Sequence, residues 1–135
     1  MEILDILILG SGPAALCLAS ELAKQNLNIK GISTKSPYEK WENTYGIWAS
    51  ELEEFGLASL LSHRWSKTVS YFGDGIKDKG NSPTKHYYDY GLINQEAFQN
   101  ELLKTCKGIQ WLNETAKLIK SENKISEVIC SSGLK

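Results

Sequence analysis

The chain holds little of what staples, ligates or kinks a polypeptide. Its 135 residues include three cysteines, three prolines, two histidines and one methionine. Cys17, Cys106 and Cys130 are odd in number and too far apart in sequence for a zinc or redox motif, so they read as apolar fillers in a reducing compartment. His63 and His86 lack a ligand-spaced partner, and no metal is expected. An excess of one charge is also missing. Fifteen basic and sixteen acidic side chains leave a net charge of −1, which argues against a nucleic-acid binder held by bulk electrostatics. The longest strongly apolar run is residues 6–9, far short of the ~20 residues of a membrane-spanning helix. The first residues show neither a secretory signal nor an Arg/Ser-rich transit segment, so the expected location is cytoplasmic.

What is present fits one globular domain over residues 1–135, with 41% hydrophobic and 23% charged residues. Residues 3–9 read as a strand buried on both faces of a parallel sheet. A helical pattern runs to Gln25, with Ala15, Leu18, Ala19 and Leu22 on one face, Pro13 in the first turn and Asn26 placed as a left-handed cap. Residues 28–33 read as a second strand, completing a β-α-β unit over 3–33. A loop over 34–49 follows. Next come a helix capped by Ser50 that carries Leu52, Phe55 and the 57–61 stretch, and a strand over 68–72. Then come a Gly/Asp/Lys-rich loop over 73–84, a strand over 86–93 and a helix from Gln95 to Cys106. A short strand over 109–112 and a hairpin over 116–130 turning at Glu122-Asn123 complete the pattern. The expected class is α/β. The close at Ser131-Ser132-Gly133 reads as a hairpin whose next strand has only begun, and a piece of a longer protein is expected.

The first strand leads into Gly10-Ser11-Gly12-Pro13-Ala14-Ala15, the G-x-G-x-x-G/A loop of a dinucleotide site. Gly10 permits the tight turn, Gly12 lets backbone approach a pyrophosphate, and Ala15 lets helix and strand pack closely. The helix N-terminus then offers free N–H groups and partial positive charge. The acid expected at the end of the second strand is absent. Ser33 stands there with Thr34 beside it, and the nearest downstream acid is Glu39. That departure argues against an ordinary NAD dehydrogenase.

The loop after the second strand is rich in aromatics. Trp41-Glu42-Asn43-Thr44-Tyr45-Gly46-Ile47-Trp48, soon followed by Glu51-Leu52, resembles the W-x-N-x-Y-G-[VI]-W signature of the flavin-containing lycopene cyclases of plants and cyanobacteria. Asp89-Tyr90-Gly91-Leu92-Ile93-Asn94 is similar to that family's second motif, a strand before its own helix. The resemblance covers essentially the whole chain. It implies a Rossmann-like FAD/NAD(P)-binding fold of the p-hydroxybenzoate-hydroxylase type, present here as its N-terminal part. It also implies reduced FAD in a non-redox role, NAD(P)H as reductant, lycopene as an apolar substrate, and peripheral membrane contact of the intact protein. The reaction implied is proton-initiated ring closure through a carbocation. Gln95 stands where many such flavoproteins place an Arg near the flavin phosphates.

Read physically, Tyr45 and Trp48 offer π faces to a developing cation, and Gly46 would admit a flavin ring close to the backbone. Packing on the core is the competing role for Trp41 and Trp48, and sheet packing is the favoured role for Tyr87, Tyr88 and Tyr90. Asn43 is expected to fix the turn. Glu51 is the best of a weak set of acid candidates beside Glu39 and Glu42; the family's proton-handling acids are implied to lie further along such chains. The cofactor candidates are Gly10, Ser11, Gly12, Pro13, Ala14, Ala15, Ser33, Thr34 and Gly46. Two rival readings stand beside the cyclase: a flavin monooxygenase or reductase of the same superfold, and a truncated nucleotide-binding module without activity of its own.

Overall fold

The computed structural model describes residues 3–71, 83–122 and 125–133. The expected strand end at Phe72, the loop over 73–82 and the hairpin turn at Asn123 lie outside the described residues. The chain divides into two compact units, residues 1–41 with 99–135 and residues 42–98.

In the first unit, β1 (Ile6–Leu9), β2 (Ile29–Ser33) and β8 (Gln110–Asn113) form a parallel sheet in the order β1-β2-β8. Helix α1 (Pro13–Leu22) joins β1 to β2, so the expected β-α-β unit is present. Ile8, Ala19, Ile29 and Cys106 form its core, with Ile6, Ala15, Leu22, Ile109 and Trp111 packed against them. Three expectations need correction. Leu18, expected on the packed face of α1, is 51% exposed, and the buried residues of that helix are Leu16, Ala19 and Ser20. Among the described residues β1 pairs with β2 alone, and only Ile8 in it is buried, so it is not covered on both faces. The helix ends at Leu22 and Asn26 is not left-handed. The last turn instead tightens through Lys24 N–H to Glu21 O and Gln25 N–H to Leu22 O, which satisfies the final carbonyls without a left-handed residue.

The unit also contains the hairpin β9 (Ala116–Glu122) and β10 (Ile125–Cys130). Helix α3 (Gln95–Thr105) begins in the other unit. It is capped there by Asn94, whose side-chain oxygen accepts the Ala97 N–H. Burial, with the Glu21 carboxylate adding to it, pushes the Cys17 thiol above its ordinary range, and burial raises Cys106 with a smaller push from Cys17. The thiolate is the reactive form. Both thiols are therefore expected to alkylate much more slowly with iodoacetamide at pH 8 in the folded chain than after unfolding. Pulse labelling read by mass spectrometry checks this, and equal rates in the two states would contradict it.

In the second unit, β3 (Gly46–Trp48), β7 (Tyr90–Ile93) and β4 (Leu61–Trp65) form an antiparallel sheet in the order β3-β7-β4. Strands β5 (Val69–Ser70) and β6 (Thr84–Lys85) make a small ribbon. Residues 46–48 therefore leave the expected loop and form a strand. Helix α2 (Ala49–Glu54) starts without a Ser50 cap, because Asp89 O accepts the Ala49 N–H instead. It also stops short of 57–61. Gly56 takes a left-handed φ of +71°, Gly56 N–H bonds to Glu53 O and Leu57 N–H reaches back to Leu52 O, a Schellman-type stop. Residues 58–60 form a single 3-10 turn and 61–65 become β4. The strand expected over 86–93 begins only at Tyr90. Tyr87 and Tyr88 are 94% and 64% exposed, so they do not pack in the sheet.

Candidate nucleotide-binding site and aromatic face

The turn between β1 and α1 is built as a glycine loop. Gly10 has φ +107°, a conformation that a residue with a Cβ rarely adopts, and its N–H bonds to Ile32 O. Gly12 caps α1 in an extended conformation, and a Cβ there would meet nothing within 4 Å. Its side is open space, as close approach of a ligand requires. Pro13 takes the first helical position, and no side chain caps the helix N-terminus. The end of α1 therefore presents backbone donors and the positive end of the helix dipole with no built-in anion.

Ser11 ties this loop to the end of β2. Its hydroxyl donates to Lys35 O at 3.0 Å and lies 2.9 Å from Ser33 Oγ. Because the Ser11 proton is committed to Lys35 O, the Ser33 hydroxyl is the donor between the two serines. Ser33 Oγ also accepts the Lys35 N–H at 3.2 Å. Ser33 therefore keeps one acceptor lone pair and no free proton, which makes it a brace between the glycine loop and the end of β2. Trp41 is buried, and its indole N–H bonds to Ser11 O at 3.1 Å. The first tryptophan of the aromatic motif thus packs in the core and holds the glycine loop. Gln99, also buried, donates to Pro37 O and Glu39 O and fixes the same connection.

Beyond the end of β2 a cleft of about 260 Å³ opens among Ser33, Lys35, Tyr38, Trp111 and Asn113. It lies at the carboxyl ends of parallel strands, where open α/β sheets bind ligands. Glu39 does not line it. Its carboxylate accepts the Ser36 N–H at 2.8 Å and so closes the turn. Thr34 is exposed beside Ser33, Ala14 is exposed on the first turn, and Ala15 packs on the core. The loop, the bare helix end and this cleft fit the phosphates and adenosine of FAD.

In the second unit, Trp48 is half-buried, with ring centroids 5.5 Å from Tyr90, 5.2 Å from His86 and 6.2 Å from Tyr88. The Tyr45 carbonyl accepts the Ile93 N–H, which seats the motif against β7. A Cβ on Gly46 would fall 2.2 Å from the Tyr90 hydroxyl, so the space beside Gly46 belongs to that ring, where flavin had been expected. Glu51 is exposed on α2. The Gln95 amide nitrogen is buried without a partner among the described residues. Sequence reasoning missed Trp65, which β4 brings beside Tyr90, and Gln99. Residues 61–65 carry only a weak strand pattern, and Gln99 reads as an ordinary helix position.

The model of the lycopene cyclase protein family matches residues 5–135. A lycopene beta cyclase of Synechococcus elongatus is 42% identical over 131 residues, covering 96% of this chain and 30% of that protein. The chloroplastic lycopene beta cyclase of Arabidopsis thaliana is 30% identical over 99% of this chain and 26% of its own length. The chain therefore spans less than a third of these relatives. Among solved structures, Pseudomonas aeruginosa PqsL in complex with 2-aminobenzoylacetate superposes over 97% of this chain and 40% of its own, at 15% identity and a TM-score of 0.65. A mutant of halogenase PltM in complex with FAD superposes over 98% of this chain and 32% of its own, at 14% identity and a TM-score of 0.64. These two show a shared mixed α/β fold. With the glycine loop, the aromatic motif and the family match over nearly its whole length, the chain belongs to the lycopene cyclase family.

Proposed function

We propose that this chain is the Rossmann-like, FAD-binding portion of a carotenoid cyclase that closes β or ε rings at the ends of lycopene. The observation that carries the reading is the coincidence of a nucleotide-ready glycine loop with the family's aromatic motif. Trp41 joins the two by holding Ser11. The reaction is an isomerisation. An acid protonates a terminal double bond, the cation closes a six-membered ring, and proton loss fixes the ring double bond. Bound reduced FAD supplies an electron-rich ring that stabilises positive charge, and NAD(P)H serves only to keep it reduced.

The chain's own residues have narrower tasks. Gly10 and Gly12 admit the pyrophosphate, the α1 N-terminus with Pro13, Ala14 and Ala15 receives its charge, and Ser11 with Ser33 braces the loop. Ser33 lines the adenosine cleft, and Thr34 is exposed beside it without lining it. Tyr45 and Trp48 belong to the substrate side through their π faces, and Glu51 is held only as a weak acid candidate. A C40 hydrocarbon resides in bilayers, so peripheral membrane contact of a cytoplasmic enzyme belongs to the same reading. Among the described residues no helix is long and apolar enough to cross a membrane.

The test grafts this chain onto the Synechococcus relative in place of the aligned segment and expresses the graft in bacteria that accumulate lycopene. Cyclic carotenes are expected, without NADPH or oxygen consumed in proportion to product. Proportional consumption would favour the monooxygenase or reductase reading.

A further inference from the structure

The cleft beside the glycine loop holds a residue with the chemistry to read a base. Strand β8 runs parallel to β2, with Gly31 opposite Trp111 and Ser33 opposite Asn113. Alternate residues of a strand share one face of the sheet, as do residues paired across strands. Gly31, Ser33, Trp111 and Asn113 therefore stand on one face. Ser33, Trp111 and Asn113 all line the cleft.

The parts of the cleft differ in what they offer a nucleotide. Trp111 lies over Gly31, where a side chain of any size would collide with its ring. The indole packs along the sheet, and Ile109, Leu112 and Pro37 add apolar surface to the same cleft. For ribose the cleft is poor. No aspartate or glutamate is among the described residues that line it, and the Glu39 carboxylate is taken by the Ser36 N–H. Ser33 has committed its proton to Ser11 and one lone pair to the Lys35 N–H. The single acceptor site left there is no substitute for a carboxylate that holds ribose hydroxyls. Asn113 is better equipped. It is exposed at the end of β8, and its amide carries one acceptor oxygen and two donor hydrogens. That pattern complements the 6-amino group and the adjacent ring nitrogen of adenine, the bidentate pairing by which asparagine recognises this base.

We propose that Asn113 is the specificity-determining residue of this nucleotide site, reading the adenine amino group while Trp111 and the apolar wall carry the ring and the ribose goes largely unread. This rests on the FAD-binding reading and assigns the part of the nucleotide that confers selectivity. Gly31 is a positioning residue that acts through Trp111.

The test uses ADP, the part of FAD that the loop and the cleft would hold. Isothermal calorimetry titrates the 135-residue chain with ADP, with 2′,3′-dideoxy-ADP and with purine-riboside diphosphate, which lacks the 6-amino group. Dideoxy-ADP should bind within about threefold of ADP, because at most one hydrogen bond to Ser33 is lost. The purine analogue should bind about tenfold more weakly. Asn113→Ala, its fold checked by far-UV circular dichroism, should weaken ADP to the level of that analogue and leave the analogue's own affinity within about twofold. Equal affinity of the parent for ADP and the purine analogue overturns the proposal. So does a loss of about tenfold with dideoxy-ADP, or a folded Asn113→Ala that still discriminates. The two ligand comparisons on the parent decide the matter even if the variant fails to fold. ADP bound without selectivity would remove the proposal alone, whereas a folded parent that binds none of the three diphosphates would remove the nucleotide site itself.

Discussion

Gly12→Asp is expected to cost the chain at least about a hundredfold in FAD affinity while its melting temperature stays within about 3 °C of the parent. The two halves of that result have separate causes. Gly12 has φ −76°, which any L residue adopts, and a Cβ there meets nothing within 4 Å. Asp is a favoured helix N-cap, and its charge suits the positive end of α1, so the fold loses nothing. The same carboxylate occupies the space an incoming pyrophosphate needs and repels it. Gly10→Ala should show the opposite pattern. At φ +107° the added methyl is strained wherever it points, so stability falls by about 1–2 kcal/mol. Flavin fluorescence titration beside a thermal melt separates the two. Unchanged affinity in Gly12→Asp would place the nucleotide elsewhere.

The second large effect is structural. Gly31 lies buried in β2 directly opposite Trp111 of β8. A Cβ on Gly31 would fall 2.2 Å from Trp111 Cε3, well inside contact distance. The neighbour is a rigid ring packed on the core, so it can yield only by moving as a whole. Gly31→Ala should therefore destabilise the chain by about 1–3 kcal/mol, the usual cost of overpacking. Trp111→Leu in the same chain should relieve most of that cost, because it removes the atoms that collide. Urea unfolding of the four members of this cycle gives the coupling. Additive losses in the double variant would mean the contact is not the cause.

The parts of the fold that could be read from the sequence are those where local chemistry and tertiary demand agree. The glycine loop, α1 and β2 follow from an apolar run, a G-x-G-x-x-A turn and a helical apolar pattern, and all three elements are present, although the buried residues of α1 are Leu16, Ala19 and Ser20 while Leu18 is left exposed. The hairpin of β9 and β10 and helix α3 followed equally well. The segment over 57–65 did not. Its leucines suggested more helix, but the left-handed Gly56 ends α2, and the polar alternation of 61–65 is too weak to announce β4. That strand matters, because it supplies Trp65.

The site divides in the same way. The glycine-loop residues were visible as a pattern. The role of Ser33 was not, because it depends on how one hydroxyl proton is shared with Ser11, which only geometry reveals. Gly46 does serve close approach, as its lack of a side chain suggests, but the group that approaches is Tyr90 from β7. No periodicity shows that two rings forty-odd positions apart in the chain share a rung.

The most direct measurement of the central claim is the pigment chromatogram of lycopene-accumulating cells that carry this chain grafted onto the Synechococcus relative, with the Gly12→Asp graft alongside. The account predicts cyclic carotenes from the first and lycopene alone from the second, with both proteins soluble. Lycopene left unchanged by the parent graft, in cells where that graft is soluble and retains FAD, would contradict it.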